Sequence, residues 1–469
     1  MKQVLLTIIT TLLFTGCTPT LHKAVREGDA DRVGELLDAG SNHSRAVRPN
    51  ILIIFTDDQG YADLACYGSK TNKTPNLDQL AKDGIRFTSF YAQPICGASR
   101  SALLTGRYPV RSLGPNMPAA EITFAEVMMK VGYQTACIGK WDVSNRKAII
   151  DRMPNAQGFG YYYGTMGAND LGDVKLYENN SYVGHTQDMG SLTNLYTDKA
   201  IDYLKNKRDP NKPFVLYLAH TMMHTNIDAS PAFQGKSAGG LYGDVVEEFD
   251  YETGRLLKII DELGLRDNTL VIYTTDNGPW NQQAHIEKKR SRASYIAWKA
   301  KHAHFKNDDI FWGDSGPLRD GKGSPYEAGS RVPCIMRWPG KVPQNEVSDA
   351  IFATIDFLPT FADLAGATVP DDRIIDGVKQ TDLLLGKNKL SARDSFLYHE
   401  NGVRQGKWKY LKAIHKVRVG SFRDTTRKKV EELYDLEADI GETNNLADKY
   451  PDRVAELKEL FEKVTAGKK

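Results

Sequence analysis

An α/β sandwich around a large, mixed but mostly parallel sheet is the fold class this sequence predicts, with a small C-terminal α+β subdomain built on an antiparallel sheet. Three observations predict it. The runs "PNILIIFTDDQG" (Pro49–Gly60), "KPFVLYLAH" (Lys212–His220) and "NTLVIYTTDNG" (Asn268–Gly278) are apolar on both faces, as central strands of a covered sheet must be. Helical periodicities fall between them, at Thr74–Lys82, Thr123–Val131 and Gly243–Leu263, and strands alternating with helices argue for parallel crossovers. From about Ser391 the pattern becomes short alternating runs around turns, the texture of antiparallel strands.

The elements follow in chain order. Lys2 and the apolar stretch Val4–Phe14 read as a signal peptide over residues 1–16, too short to span a bilayer as a mature helix. The following "FTGC" resembles the lipobox of bacterial lipoproteins, with Cys17 lipidated after cleavage; a plain secretory signal is the alternative. Either reading takes the protein out of the cytoplasm, to the periplasm or, as a lipoprotein, the outer membrane. Residues 17–47 form a tether in which Leu21–Gly40 resembles one ankyrin-like helical hairpin, a unit that cannot bury its own face alone. Residues 48–390 read as the main domain and 391–469 as the C-terminal subdomain. The latter holds "SFLYHENGVRQGKWKYLKAI", "ELYDLEADIGETNNLADKYP" and a last amphipathic helix over Asp452–Val464.

Composition excludes little but does exclude something. A net charge of +2 over 469 residues gives no reason to expect nucleic acid as a partner. Five cysteines (Cys17, Cys66, Cys96, Cys137 and Cys334) are not a disulfide framework. Cys66, Cys137 and Cys334 read as small apolar side chains or at most one pair.

Chemistry gathers where the apolar strands end, as it does in open α/β sheets. One strand ends in Asp57-Asp58, a second in His220 with His224 after it, and a third in Asp276-Asn277. Hard oxygen ligands at neighbouring strand ends suit Ca²⁺ or Mg²⁺ rather than zinc. Taken singly, "DDQG" and "DNG" are turn signals. A lone cysteine then opens "CGASRSALLTGR" (Cys96–Arg107), beside a serine, an arginine and an apolar pair.

That stretch resembles the signature of the formylglycine-dependent sulfatases of the alkaline phosphatase superfamily. "NILIIFTDDQG", "GKW" (Gly139–Trp141), "LAHTMMH", "TLVIYTTDNGPW", "GPLRDGKGSPYEAGSRVPCIMRWPG" and "ELYDLEADIGETNNLA" resemble the same family in its order, from about Arg48 to the C-terminus. The resemblance implies a bacterial sulfuric ester hydrolase in which a maturation enzyme oxidises Cys96 to an aldehyde, 3-oxoalanine. Its hydrate attacks sulfur, and the second hydroxyl expels sulfate afterwards. Asp57, Asp58, residue 96, Asp276 and Asn277 would hold Ca²⁺ in preference to Mg²⁺. Arg100 would orient the hydrate, and Lys140 and Lys322 would clamp sulfate oxygens. His224 would protonate the leaving alcohol as an imidazolium near neutral pH; His220 would only shape its strand end.

Two departures stand out. Ala98 replaces the family's usual proline, leaving the maturation system open. Asp142, in "GKWDVS", stands where a histidine normally contacts the hydrate. It is expected to serve as an atypical base, and to cost affinity by placing negative charge beside an anionic substrate. Between the third strand and "GPLRDGKG", Asn281–Ile310 carries seven basic against three acidic residues, interleaved with Tyr295, Trp298 and Phe305. That reads as a wall for an anionic sulfated glycan. Two rival functions remain: a phosphate or phosphonate ester hydrolase with the same nucleophile, and a non-catalytic glycan-binding lipoprotein.

Overall fold

The computed structural model describes residues 48–280, 300, 312–418 and 425–467. The expected signal peptide, Cys17, the ankyrin-like hairpin and nearly all of the basic segment Asn281–Ile310 lie outside the described residues.

The central sheet has eleven strands among the described residues. They are β1 (Asn50–Thr56), β2 (Ile85–Tyr91), β3 (Gln134–Lys140), β4 (Tyr161–Thr165), β5 (Val174–Glu178), β6 (Ser181–Thr186), β7 (Phe214–Ala219), β8 (Thr269–Thr275), β9 (Arg331–Arg337), β10 (Glu346–Ser348) and β11 (Phe352–Ala353). Their order is β10-β2-β9-β8-β1-β7-β3-β4-β5-β6, with β11 also on β2. The run β8-β1-β7-β3-β4 is parallel throughout, whereas β9 is antiparallel to both neighbours and β5 and β6 form an antiparallel edge.

Both faces are covered, for the reason the double-sided apolar runs gave. Leu52 and Ile54 of β1 face one core, with side chains from α1 (Pro75–Lys82) and two later helices, Leu192–Asp202 and Gly240–Glu262. Ile51, Ile53 and Phe55 face the other, with Leu103 and Leu104 of α2 (Cys96–Thr105), Phe124 of α3 (Phe124–Met129) and Phe361 of the helix Phe357–Ala365. Period-two alternation therefore feeds two cores from one strand. The helix α3 begins with a capping box, Thr123 and Glu126 each satisfying the other's backbone N–H.

A second sheet, β12 (Ser395–Tyr398), β13 (Gly402–Gln405), β14 (Trp408–Leu411) and β17 (Glu432–Asp435), is antiparallel. The final helix, Pro451–Thr465, lays Val454 and Leu457 on Val403, Tyr410 and Leu433. The pair β15 (His415–Arg418) and β16 (Thr425–Lys428) stands apart. Among the described residues no helix is long and apolar enough to cross a membrane.

One polar cluster joins the two sheets. Glu327, which opens the turn of helix before β9, is buried against β14. It accepts from Tyr91 (2.7 Å), Tyr398 (2.5 Å) and Lys409 Nζ (3.0 Å). Lys409 Nζ also meets Glu442 Oε1 at 2.7 Å, and the Glu327 backbone N–H donates to Glu442 Oε2 at 2.7 Å.

Candidate active site

Four adjacent parallel strands, β8, β1, β7 and β3, end at one rim. Register aligns the ends: Thr56 pairs with Thr275, Phe55 with Ala219, and Gly139 with Ala219. Gly139 is required there. Its φ is +109°, and a Cβ would lie 1.9 Å from the Ala219 carbonyl oxygen, so only glycine lets β3 deliver Lys140 beside β7.

Into this rim α2 points its N-terminus, with Cys96 as its first residue. Ser99 fixes the entry turn, donating to the Gln93 carbonyl at 2.8 Å and accepting from the Gln93 N–H at 2.6 Å. Gly106, left-handed at φ +67°, closes the helix. The Cys96 Sγ lies 3.3 Å from Asp57 Oδ1, 3.7 Å from Asp58 Oδ1 and 3.0 Å from Lys322 Nζ. Asp57, Asp58, Cys96 and His224 each offer a ligand atom within 4.8 Å of the others.

Around the carboxylates stand three buried cations. Lys140 Nζ is 2.6 Å from Asp57 Oδ2, Lys322 bonds Asp58, and Arg100 grips Asp276 through Nε (3.1 Å) and Nη2 (2.9 Å). Lys322 also lies over the Trp280 ring, 4.8 Å from its centre. Burial would raise the Asp57 carboxyl, but Lys140, His224, Arg100 and Lys322 hold it well below the usual range. Burial and Asp57 push the Asp276 carboxyl up. Burial, Asp276 and Asp57 likewise push the Cys96 thiol far up against the two lysines. As a thiol, Cys96 is a poor nucleophile in this setting.

The donor set fits a hard divalent cation. Asp58 Oδ2 and Asn277 Oδ1 are buried without a hydrogen-bond partner, which leaves both oxygens free to act as ligands of a hard cation. Asp57, Asp58 and Asp276 balance Arg100, Lys140 and Lys322 in charge. A divalent ion would make the pocket positive overall, the condition for receiving an anion.

Every expected catalytic and metal-binding residue among the described residues is at this rim, but three are placed differently from the expectation. The N–H groups of Arg100 already meet Asp276, the Lys140 and His220 carbonyls and the Tyr217 hydroxyl. Its hold on residue 96 therefore runs through the carboxylates rather than through a direct contact. His224 is not an imidazolium near neutrality in this arrangement: burial and Lys322 push it down to about 4. Asp142 is not a bare negative charge, since Arg146 Nε reaches it at 2.9 Å and Lys140 Nζ at 3.4 Å. His220 is structural, buried edge-on to Tyr196 and Phe249 and pushed down to about 3 by that burial.

Sequence reasoning missed Arg146, Asp170 and Trp280. Arg146 follows Asp142 by four residues, but the intervening loop carries no periodicity that would bring the two together. Cys66, Cys96, Cys137 and Cys334 are all free thiols, so no pair forms among them.

Comparison with known proteins agrees with this geometry. A family model described as Sulfatase matches residues 49–367, and one described as N-sulphoglucosamine sulphohydrolase, C-terminal, matches residues 321–467. An N-acetylgalactosamine-6-O-sulfatase of Bacteroides thetaiotaomicron is 30% identical, covering 96% of this chain and 96% of its own. An N-acetylgalactosamine-6-sulfatase of Canis lupus familiaris is 32% identical over 75% of this chain and 68% of its own. Among solved structures, a protein of Bacteroides thetaiotaomicron described under the metabolism of multiple glycosaminoglycans superposes with a TM-score of 0.73 at 27% identity, covering 90% of this chain and 100% of that one. The protein called Ps i-CgsB, solved with k-i-k-neocarrahexaose, gives 0.72 at 27% identity, over 90% and 94%.

Proposed function

The chain belongs to the sulfatase family, hydrolases of sulfuric esters, and from that premise we propose that it removes sulfate from an anionic sulfated carbohydrate, using formylglycine made from Cys96 and a bound Ca²⁺. The observation that carries the reading is the position of Cys96, at a helix N-terminus and within reach of Asp57, Asp58 and Lys322 together. Formylglycine and Ca²⁺ supply, respectively, a hydroxyl nucleophile and a fixed positive charge against the sulfuryl oxygens.

The chain's own residues do the rest. Asp57, Asp58, Asp276 and Asn277, with residue 96, hold the metal. Arg100 fixes Asp276 so that the donor set does not rearrange. Lys140 and Lys322 face the sulfate oxygens and oppose the charge that grows in the transition state. Burial first and Lys322 second keep His224 neutral without substrate; an anionic ester beside it favours the charged ring, which takes a proton from solvent as the ester binds and gives it to the leaving alcohol. Asp142 accepts the proton released as residue 96 is regenerated. The proposal includes export, with Cys17 as the lipid-bearing residue, and a maturation enzyme acting on Cys96.

The test is the mass of the tryptic peptide Phe87–Arg100 from protein made in its own host, followed by assay on sulfated saccharides. N-acetylgalactosamine 6-sulfate is the first to try, since two relatives are named for it. The aldehyde or hydrate mass with sulfate release is the expected result. An intact thiol without turnover would favour the glycan-binding reading, and faster cleavage of a matched phosphate ester the other rival.

Metal removal gives a second check. Calcium at about 100 times its Kd should stabilise the fold by about 2.7 kcal/mol, which is about 3 °C in Tm for a folded unit of this size. Chelation should reverse the shift, and Asp58→Asn should abolish it. A Tm indifferent to calcium would remove the metal from the proposal.

A further inference from the structure

Asp142 poses a charge problem that the fold has to solve. Its side chain is 4% exposed, so the carboxylate is scarcely solvated, and it shares Lys140 with Asp57: Lys140 Nζ is 2.6 Å from Asp57 Oδ2 and 3.4 Å from Asp142 Oδ2. One ammonium between two carboxylates has little left for an anionic ester.

Arg146 supplies the missing charge. Its Nε lies 2.9 Å from Asp142 Oδ1, and its Nη1 lies 2.8 Å from Asp170 Oδ2. Asp170 Oδ1 in turn stands 3.5 Å from His224 Nδ1, whose hydrogen bond is with the Thr225 carbonyl at 2.7 Å, so the carboxylate acts on the ring as a neighbouring charge. An open chain of polar contacts therefore runs past the site, through Lys140, Asp142, Arg146, Asp170, His224, Asp58 and Lys322. At 45% exposure, Arg146 is the most exposed side chain in that series. The turn that presents it is strained, because Asp142, Asn145 and Arg146 are all left-handed (φ +57°, +55° and +57°). Strain of that kind persists where the surroundings fix it. Here the Asn145 N–H donates to the Pro115 carbonyl at 2.7 Å, and both arginine contacts fasten the turn from outside.

We propose that Arg146 is a positioning residue of the sulfatase site: it neutralises Asp142, so that Lys140 remains available to sulfate, and through Asp170 it ties the nucleophile side of the pocket to His224. The proposal rests on the sulfatase reading and adds to it a residue outside the donor set, the clamp and the acid.

The experiment measures binding of inorganic sulfate by calorimetry to the full-length, matured, calcium-loaded protein, alongside kcat and KM on the best-cleaved sulfated saccharide. Arg146→Ala should weaken sulfate about tenfold, equivalent to about 1.4 kcal/mol, by leaving Asp142 uncompensated. Arg146→Ala with Asp142→Asn should return sulfate binding to within about threefold of wild type, while kcat stays low because the proton acceptor at position 142 is gone as well as the tie to His224. Arg146→Lys, which keeps the charge but lacks the guanidinium fork that reaches Asp142 and Asp170 from separate nitrogens, should recover sulfate binding more than kcat. The proposal is overturned if Arg146→Ala binds sulfate as wild type does, or if the double variant binds as weakly as the single one. If Arg146→Ala does not fold, Arg146→Lys and the double variant decide by the same readouts. A wild type that releases no sulfate from any ester would instead defeat the sulfatase reading, and the sulfate affinities would still judge Arg146.

Discussion

Cys96→Ala will eliminate turnover, by at least about 10⁴-fold in kcat, as loss of a covalent nucleophile does when the rest of the site stays intact. The side chains nearest to residue 96 are two carboxylates and a lysine. Asp57 and Asp58 are committed to cations, and Lys322 is held protonated well above the usual lysine range, so none can take over the attack. Alanine keeps the Cβ and favours the helix, so α2 should still form. Lys140 and Lys322 remain, so inorganic sulfate should bind the variant within about threefold of wild type. The check is kcat on the best sulfated saccharide together with sulfate affinity. Residual turnover within tenfold of wild type would place the nucleophile elsewhere.

The largest effect on stability should come from Lys409→Met. Lys409, Glu327 and Glu442 are fully buried. Removing the lysine leaves two carboxylates facing each other in the interior, a loss of about 3–5 kcal/mol. The cost should depend on pH. Burial raises the Glu442 carboxyl to about 7, with Glu327 adding to the rise and Lys409 opposing it. A carboxyl raised above its unfolded value of 4.5 leaves the folded state holding more protons, so stability falls as pH climbs from about 4.5 to about 7 and then levels. Without Lys409 that fall deepens, and the variant should lose more stability relative to wild type at pH 8 than at pH 5. Urea unfolding at the two pH values measures it; equal losses would show that Lys409 does not govern the pair.

What the sequence made legible were features confined to one element. Strands β1, β7 and β8 announced themselves as apolar runs, and their polar exits lay next to them in the chain. Side chains that reach across the fold stayed hidden. Strand β4, "YYYGT", has no apolar run to mark it, and the sheet edge β5–β6 is largely exposed. Arg100 was visible as a charge, but its saturation by Asp276 depends on a contact 176 residues away. Arg146 was invisible because a left-handed turn, not a helix, sets its direction.

The buried Glu327–Lys409–Glu442 cluster bears on how such enzymes can be recombined. Lys322 precedes Glu327 by five residues, and Glu327 is anchored by Tyr398, Lys409 and Glu442, all from beyond residue 390. The C-terminal region thus acts as a jig for Lys322, the lysine proposed to clamp sulfate. A chimera joined at the apparent border near residue 390 would separate the clamp from its jig. One joined before Gly321 would transfer both as a single cassette, so the practical unit of exchange begins some seventy residues earlier than the change of texture in the sequence suggests.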